Sequence, residues 1–148
     1  MAQLEITSAA FDEGDTIPRL HTCEGENVSP PLAWAGAPGG ARSLALVVDD
    51  PDAPVGTFTH WLAWGIDPGA MGLAEGEAAP LEGRNGFGTV GYSGPCPPPG
   101  HGRHRYFFRL HALDVELNLE SGASREELER ALDGRVLETA ELMGGYER

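Results

Sequence analysis

The first two-thirds of the chain alternates short hydrophobic runs with turns rich in Gly and Pro, a pattern that predicts β-strands rather than helices. Successive positions of residues 43–49 are apolar, which is typical of a central strand buried on both faces. In residues 105–112 the even-numbered positions form one apolar face of a strand. The predicted strands cover residues 4–8, 32–34, 43–49, 60–66, 89–92, 105–112 and, with the least regular pattern, 115–119.

The last quarter of the chain has helical spacing instead. Ser124 and Glu127 form the S-x-x-E pattern of a capping box, and apolar residues at helical spacing follow it: Leu128, Ala131 and Leu132. A second helix is predicted over residues 135–143, ended by Gly144-Gly145, with Val136, Leu137 and Ala140 on one stripe. These patterns predict a mainly β fold: a two-sheet, Greek-key-like β-sandwich with short C-terminal helices, in a single domain over residues 1–148.

The chain is strongly acidic, with 23 Asp and Glu residues against 10 basic residues and a net charge of −13. This charge argues against nucleic acid as a partner, because phosphate backbones need a basic surface. The longest apolar run, residues 44–48, is too short to span a membrane, and residues 1–5 lack the features of a secretory signal. We therefore expect a cytoplasmic protein. Cys23 and Cys96 would be free thiols there, although their pairing stays open.

Two clusters of charged residues are candidates for chemistry. Residues 83–113 contain no acidic residue, but they hold four Arg, three His and the Gly/Pro loop 91–100. This region is either a surface that balances charge or an anion pocket with a rigid loop. The second cluster, Asp49, Asp50 and Asp52, follows the central strand. It is either an Asx/Pro turn or the source of a carboxylate that orients a His or binds a ligand amine or hydroxyl.

Four segments carry a resemblance to a known family: TCEGENVSPPL (22–32), LALVVDDPDAPVGTFTHW (44–61), GYSGPCPPPGHGRHRYFFRLHALD (91–114) and ETAELMGGYER (138–148). In this order they resemble the phosphatidylethanolamine-binding proteins, also called Raf kinase inhibitor-like proteins, and in particular the bacterial and archaeal subgroup. The resemblance implies a two-sheet β-sandwich with a small pocket at one end. In the family this pocket takes phosphate, acetate-like anions or a phosphorylated head group.

Carried over motif by motif, the resemblance assigns the pocket to Asp50, Pro54, His60, Gly94, Pro95, Cys96, Pro97, His104 and Tyr106. Two imidazoles, the tyrosine hydroxyl and loop N–H groups would bind the anion. Asp50 would either orient a His or accept a hydrogen bond from a ligand ammonium or a protonated phosphate oxygen. The loop before His104 is longer than in eukaryotic members and contains His101.

The function that the resemblance implies is a non-catalytic binder of small phosphorylated or carboxylated ligands, without a cofactor. It would act as a regulator or inhibitor of a kinase or serine protease. Some members form dimers, so the resemblance also allows a homodimer.

Three other functions remain open from the residues alone. Asp50, the two imidazoles and Tyr106 could hydrolyse a phosphate ester by acid–base catalysis. Asp50, His60 and His104 could instead form a 2-His-1-carboxylate metal site. Finally, the loop 94–102 or 65–86 could insert into a protease cleft, leaving the pocket without a role.

Overall fold

The protein is described by a computed structural model that covers residues 3–148, so Met1 and Ala2 of the opening segment lie outside the described residues. The strands are β1 (Glu5–Thr7), β2 (Leu32–Ala35), β3 (Ser43–Asp50), β4 (Phe58–Ile66), β5 (Gly72–Leu73), β6 (Leu81–Glu82), β7 (His104–Leu113) and β8 (Val136–Tyr146). The helix α1 spans Arg125–Leu132, and a single 3-10 turn spans Arg19–His21.

The strands form two antiparallel sheets, which confirms the mainly β, two-sheet fold. The small sheet has the order β1-β2-β5, and the large sheet has the order β6-β4-β3-β7-β8. Strand β3 is central and every one of its residues is buried, as its continuous apolar pattern predicts. Strand β7 lies beside it and extends the predicted strand by one residue at each end.

Two layers of apolar side chains hold these elements together. The main core lies between the sheets and includes Trp34 from β2, Val48 from β3 and Phe108 from β7. A second cluster lies on the outer face of the large sheet, where Leu128 of α1 is fully buried with Trp64 of β4. Helix α1 begins with the predicted capping box at Ser124. The helix therefore covers part of the outer face of the large sheet.

The predicted second helix is wrong, because residues 136–146 form the edge strand β8 paired along β7. Burial there alternates with a period of two from Ala140 to Gly144, while the predicted stripe residues Val136 and Leu137 are exposed. Gly144 does not end a helix. It lies within the strand, and an added Cβ would come within 2.7 Å of the Phe11 and Ile17 side chains. The pairing with β7 overrides the local helical spacing.

Two further predicted strands are absent from the described part of the chain. Residues 89–92 make only an isolated bridge between Val90 and Arg84, and residues 115–119 form no ladder. The latter segment packs over the outer face instead, where the Leu119 carbonyl oxygen accepts a hydrogen bond from the Trp64 indole. None of the helices described over residues 3–148 has the length and apolar character to cross a membrane.

Candidate functional site

The candidate site lies at one end of the large sheet, where the antiparallel order brings three strand ends together. Strand β3 ends at Asp50, opposite Phe58 at the start of β4. Strand β7 begins on the other side of β3 with His104 and Tyr106, which share one face because they are two residues apart. The sheet thus collects polar side chains that are far apart in the sequence.

A cavity of about 230 Å³ opens between these strand ends. Seven of the nine predicted site residues line it: Asp50, Pro54, His60, Cys96, Pro97, His104 and Tyr106. The remaining two, Gly94 and Pro95, do not line it. Apolar residues that the sequence analysis did not assign to the site complete the wall: Ala53, Val55, Phe58, Phe87 and Pro98. The cavity therefore combines a buried polar floor with an apolar rim.

A β-bulge directs His60 into the cavity. The register of β4 against β3 shifts between Trp61, opposite Val48, and Thr59, opposite Asp49, so His60 is the extra residue. A regular strand would send neighbouring side chains to opposite faces, but a bulge re-aims one of them. Trp61 can thus pack in the main core while the adjacent His60 ring contacts Tyr106, with 5.2 Å between ring centroids.

Three polar side chains form a chain of hydrogen bonds at the cavity. The Nδ1 atom of His104 lies 2.6 Å from Oδ2 of Asp50, and both residues are buried. The other ring nitrogen of His104, Nε2, lies 2.6 Å from Nδ1 of the exposed His101. Because an ionised carboxylate only accepts hydrogen bonds, Asp50 fixes the proton of His104 on Nδ1. This is the orienting geometry that the sequence analysis hypothesised for Asp50.

The other two polar side chains of the floor differ in their hydrogen bonding. His60 Nδ1 lies 2.7 Å from the Ser93 carbonyl oxygen, and burial lowers the pKa of His60. The Tyr106 hydroxyl is buried without a partner of normal hydrogen-bond geometry in the described chain, although the Asp50 carboxylate lies near it. Burial and the nearby Asp50 charge raise the pKa of Tyr106 far above its ordinary value. The tyrosine therefore stays a protonated donor, which a ligand oxygen could accept.

Each carboxylate of the aspartate cluster has a separate partner. Asp49 faces the opposite side of the sheet, where Arg125 donates two hydrogen bonds of 2.5 and 2.9 Å to it. Asp52 pairs with Arg105 through two hydrogen bonds of 2.8 Å. Asp50 accepts from the backbone N–H of Asp52 as well as facing His104. Both interpretations of the cluster thus apply, an Asx turn and a carboxylate that orients a His.

The four arginines of the acid-free region do not line the cavity. Arg105 and Arg109 pair with carboxylates, while Arg103 donates to the Gly14 carbonyl oxygen. Arg84 donates to the backbone of its own turn. The arginines of this region therefore pair with carboxylates or bind backbone carbonyl groups, and His104 is its one Arg or His side chain that lines the cavity.

The Gly/Pro loop shapes the site differently from the expectation of ligand-binding N–H groups. The N–H of Gly94 donates to Asn27 Oδ1 at 2.8 Å, so it is already used. A Cβ on Gly94 would lie 2.0 Å from the His21 carbonyl oxygen. The glycine thus permits close packing behind the cavity wall. Two of the three loop residues that line the cavity, Pro97 and Pro98, have no N–H to offer.

The prediction of two free thiols is wrong, because Cys23 and Cys96 form a disulfide with their Cα atoms 5.4 Å apart. Three noncovalent contacts join the same two loops. Cys23 N donates to the Pro95 carbonyl oxygen, Tyr92 donates to that of His21, and Gly94 binds Asn27. The fold brings the two loops together, a proximity that a spacing of 73 residues does not reveal. The disulfide fixes Cys96 in the cavity wall.

Other sites offer weaker candidates for an anion. A groove of about 360 Å³ lies beside β1 and β8, but carboxylates line it: Glu5, Asp12, Glu13 and Glu141.

Within residues 3–148 no three His, Cys, Asp or Glu side chains are arranged to hold a metal ion. The geometry gives no support to the metal alternative for Asp50, His60 and His104.

Comparisons with known proteins agree with this architecture. The family model described as phosphatidylethanolamine-binding protein matches residues 7–147. A UPF0098 protein of Pyrococcus abyssi is 49% identical, with 95% of this chain and 84% of the relative covered. A UPF0098 protein of Methanothermobacter thermautotrophicus is 50% identical, with 98% and 99% covered.

Solved structures give the same result. A phosphatidylethanolamine-binding protein homologue of Chlamydia trachomatis, CT736, superposes with a TM-score of 0.94 at 42% identity, over 100% of this chain and 99% of that one. Escherichia coli YbcL, a member of the mammalian family, gives a TM-score of 0.93 at 32% identity, over 99% of each chain. The chain therefore belongs to the phosphatidylethanolamine-binding protein family.

Proposed function

We propose that the protein is a non-catalytic binder of small anions, phosphate or carboxylate groups, and that the anion occupies the cavity at the end of the large sheet. One observation carries the proposal. The buried Tyr106 hydroxyl has no partner in the described chain, although it lies beside two imidazoles. A buried donor left without an acceptor costs about 1–3 kcal/mol, which an anionic oxygen would recover.

The size and lining of the cavity support a small ligand. About 230 Å³ is below the range of roughly 300–1,000 Å³ for drug-sized ligands. The name of the family refers to a phospholipid whose head group is a phosphate ester. A head group of this size fits the volume, and the apolar rim suits a carbon chain beside the anion. At the rim Val55 is 94% exposed and Phe87 49% exposed.

The lining also supports binding without turnover. No Ser, Thr or Lys lines the cavity, and its one cysteine, Cys96, is in the disulfide. A nucleophile and an activating base are both needed for covalent hydrolysis. His104 has an orienting carboxylate in Asp50, but the lining offers it no hydroxyl of Ser or Thr and no free thiol to activate. Hydrolysis of a phosphate ester would have to use water, a carboxylate or an imidazole as the nucleophile, and this is the alternative that the experiment must separate.

The experiment is a phosphorus NMR titration of phosphoethanolamine into the wild type, Tyr106→Phe and His104→Ala, followed for a day without added metal. We expect shift or exchange broadening with the wild type that is weakened in both variants, with no signal of free phosphate. Growth of free phosphate would replace this proposal with the hydrolase. An unchanged ligand spectrum at millimolar concentration would refute the anion site.

We further propose a role as a regulator or inhibitor of a kinase or serine protease, alone or as a homodimer. Of the two candidate loops, 65–86 exposes Met71, but the Met71 carbonyl oxygen already accepts the Trp34 backbone N–H. The loop 94–102 is tied to its neighbours by the disulfide. Inhibition assays at micromolar concentration against chymotrypsin-like and elastase-like enzymes test the protease role, which a lack of inhibition would remove.

The cytoplasm remains the proposed location on the sequence grounds given above. The disulfide argues against it, because such bonds persist mainly in oxidising compartments. Cell fractionation with thiol labelling of Cys23 and Cys96 distinguishes the two cases.

A further inference from the structure

His101 contacts the site without lining the cavity. Asp50 fixes the proton of His104 on Nδ1, so a neutral His104 presents Nε2 as an acceptor. The only donor to that nitrogen in the described chain is Nδ1 of His101, at 2.6 Å. His101 therefore supplies the hydrogen bond to Nε2, the ring nitrogen of His104 that does not face Asp50.

We propose that His101 is an internal competitor for the anion site, which occupies Nε2 of His104 in the free protein and is displaced when an anion binds. The inference rests on the proposed function, because it describes the same site before the anion arrives. A fully ionised anion accepts a hydrogen bond from a protonated Nε2 of His104, whereas hydrogen phosphate can also donate its own O–H to an unprotonated Nε2. Either contact needs the nitrogen that His101 occupies, so the anion and His101 exclude each other.

The structure lets His101 leave at low cost. Its ring is exposed, and rotation into water disturbs no core packing. The loop backbone is held independently, since His101 N donates to the Pro98 carbonyl oxygen and Gly100 N to that of Arg148. The neighbouring Gly102 has φ of +96° and open space around it. The side chain can thus move while the loop keeps its position.

The other groups around His104 do not replace His101. Asp50 faces the opposite ring nitrogen from β3, and Tyr106 stacks beside the ring from β7 at 6.5 Å between centroids. His60 contacts the ring of Tyr106, with 5.2 Å between centroids, and the ion pair of Asp52 and Arg105 is partly exposed. None of these residues donates to Nε2.

The test compares affinity for inorganic phosphate at about pH 7.5, by calorimetry, for the wild type, His101→Ala and His111→Ala. His111 is a matched control, because it lies on β7 away from the cavity and pairs with Thr139. We expect His101→Ala to bind phosphate about two- to tenfold more tightly, the effect of one neutral hydrogen bond, and His111→Ala to match the wild type.

Weaker binding by His101→Ala would make His101 an anion ligand, and equal binding would show that its contact has no energetic effect. Either result overturns the inference while leaving the anion site intact. An absence of binding by all three proteins defeats the proposed function and the inference with it. Nitrogen NMR of the free protein tests the contact without ligand: His101 should carry its proton on Nδ1, and a proton on Nε2 would overturn the inference.

Discussion

Removal of the Cys23–Cys96 disulfide should lower the free energy of unfolding by about 4 kcal/mol. The two cysteines are 73 residues apart, and the entropy of closing a loop of this length in the unfolded chain gives that value in the chain-entropy model. The protein should still fold, because domains have total stabilities of about 5–15 kcal/mol. The three noncovalent contacts between the loops do not need the sulfur atoms.

The assay is urea unfolding of the oxidised wild type, the reduced wild type and Cys23→Ala/Cys96→Ala. With a urea dependence of about 2 kcal/mol/M, the midpoint should fall by about 2 M in the last two samples. Reductant should have no further effect on the double variant, which serves as the control. Two titratable thiols in the native, unreduced protein, or a midpoint shift below about 0.5 M, would refute the reasoning.

Three further predictions follow from the site and its surroundings. Burial lowers the pKa of His60, and an anion favours its charged form, so acetate should bind more tightly at about pH 6 than at pH 8; an affinity that is flat over this range would contradict the role of His60. The Arg105 hydrogen bonds lower the pKa of Asp52 from 3.8 to about 2. The stabilisation of the folded state by this ion pair is present above about pH 4 and is lost as the pH falls through 2. Because the pair is partly exposed, Asp52→Asn should cost at most about 1 kcal/mol at pH 7 in urea unfolding, and the difference from the wild type should vanish near pH 2. Gly94→Ala should cost about 1–3 kcal/mol in thermal unfolding, because its Cβ meets a carbonyl oxygen, whereas Gly39→Ala, in open space, should be neutral.

The sequence predicts well the strands in which burial alone determines the pattern of apolar residues. Strand β3 is apolar at successive positions because sheet neighbours cover its edges and core residues cover both faces. The sequence of strand β8 predicts a helix, because Val136, Leu137 and Ala140 have helical spacing. The first two are nevertheless exposed. Pairing with β7 determines the conformation there, and a local pattern does not contain that information.

The candidate site likewise has features that the sequence predicts and features that it does not. Most of the residues around the cavity belong to the sequence motifs, because these motifs lie at strand ends and follow one another in a fixed order along the chain. The partner of each side chain depends on three-dimensional contacts: Asp50 with His104, Asp49 with Arg125, and His101 with His104. The β-bulge at His60 cannot be predicted from the sequence either, because it appears only as a shift in the pairing register of β4 against β3.

The proposal of an anion site in so acidic a chain is physically consistent because charge acts over short distances. Exposed charges are screened beyond about 8 Å at physiological ionic strength, so the net charge of −13 has little effect inside a cavity. Nearby, Asp52 is paired with Arg105, and Asp49 faces the other side of the sheet. The remaining carboxylate, Asp50, is hydrogen-bonded to Nδ1 of His104. The affinity of the cavity for an anion should therefore depend on Tyr106, the protonation of His60, and the competition of His101 for Nε2 of His104, rather than on the charge of the whole protein.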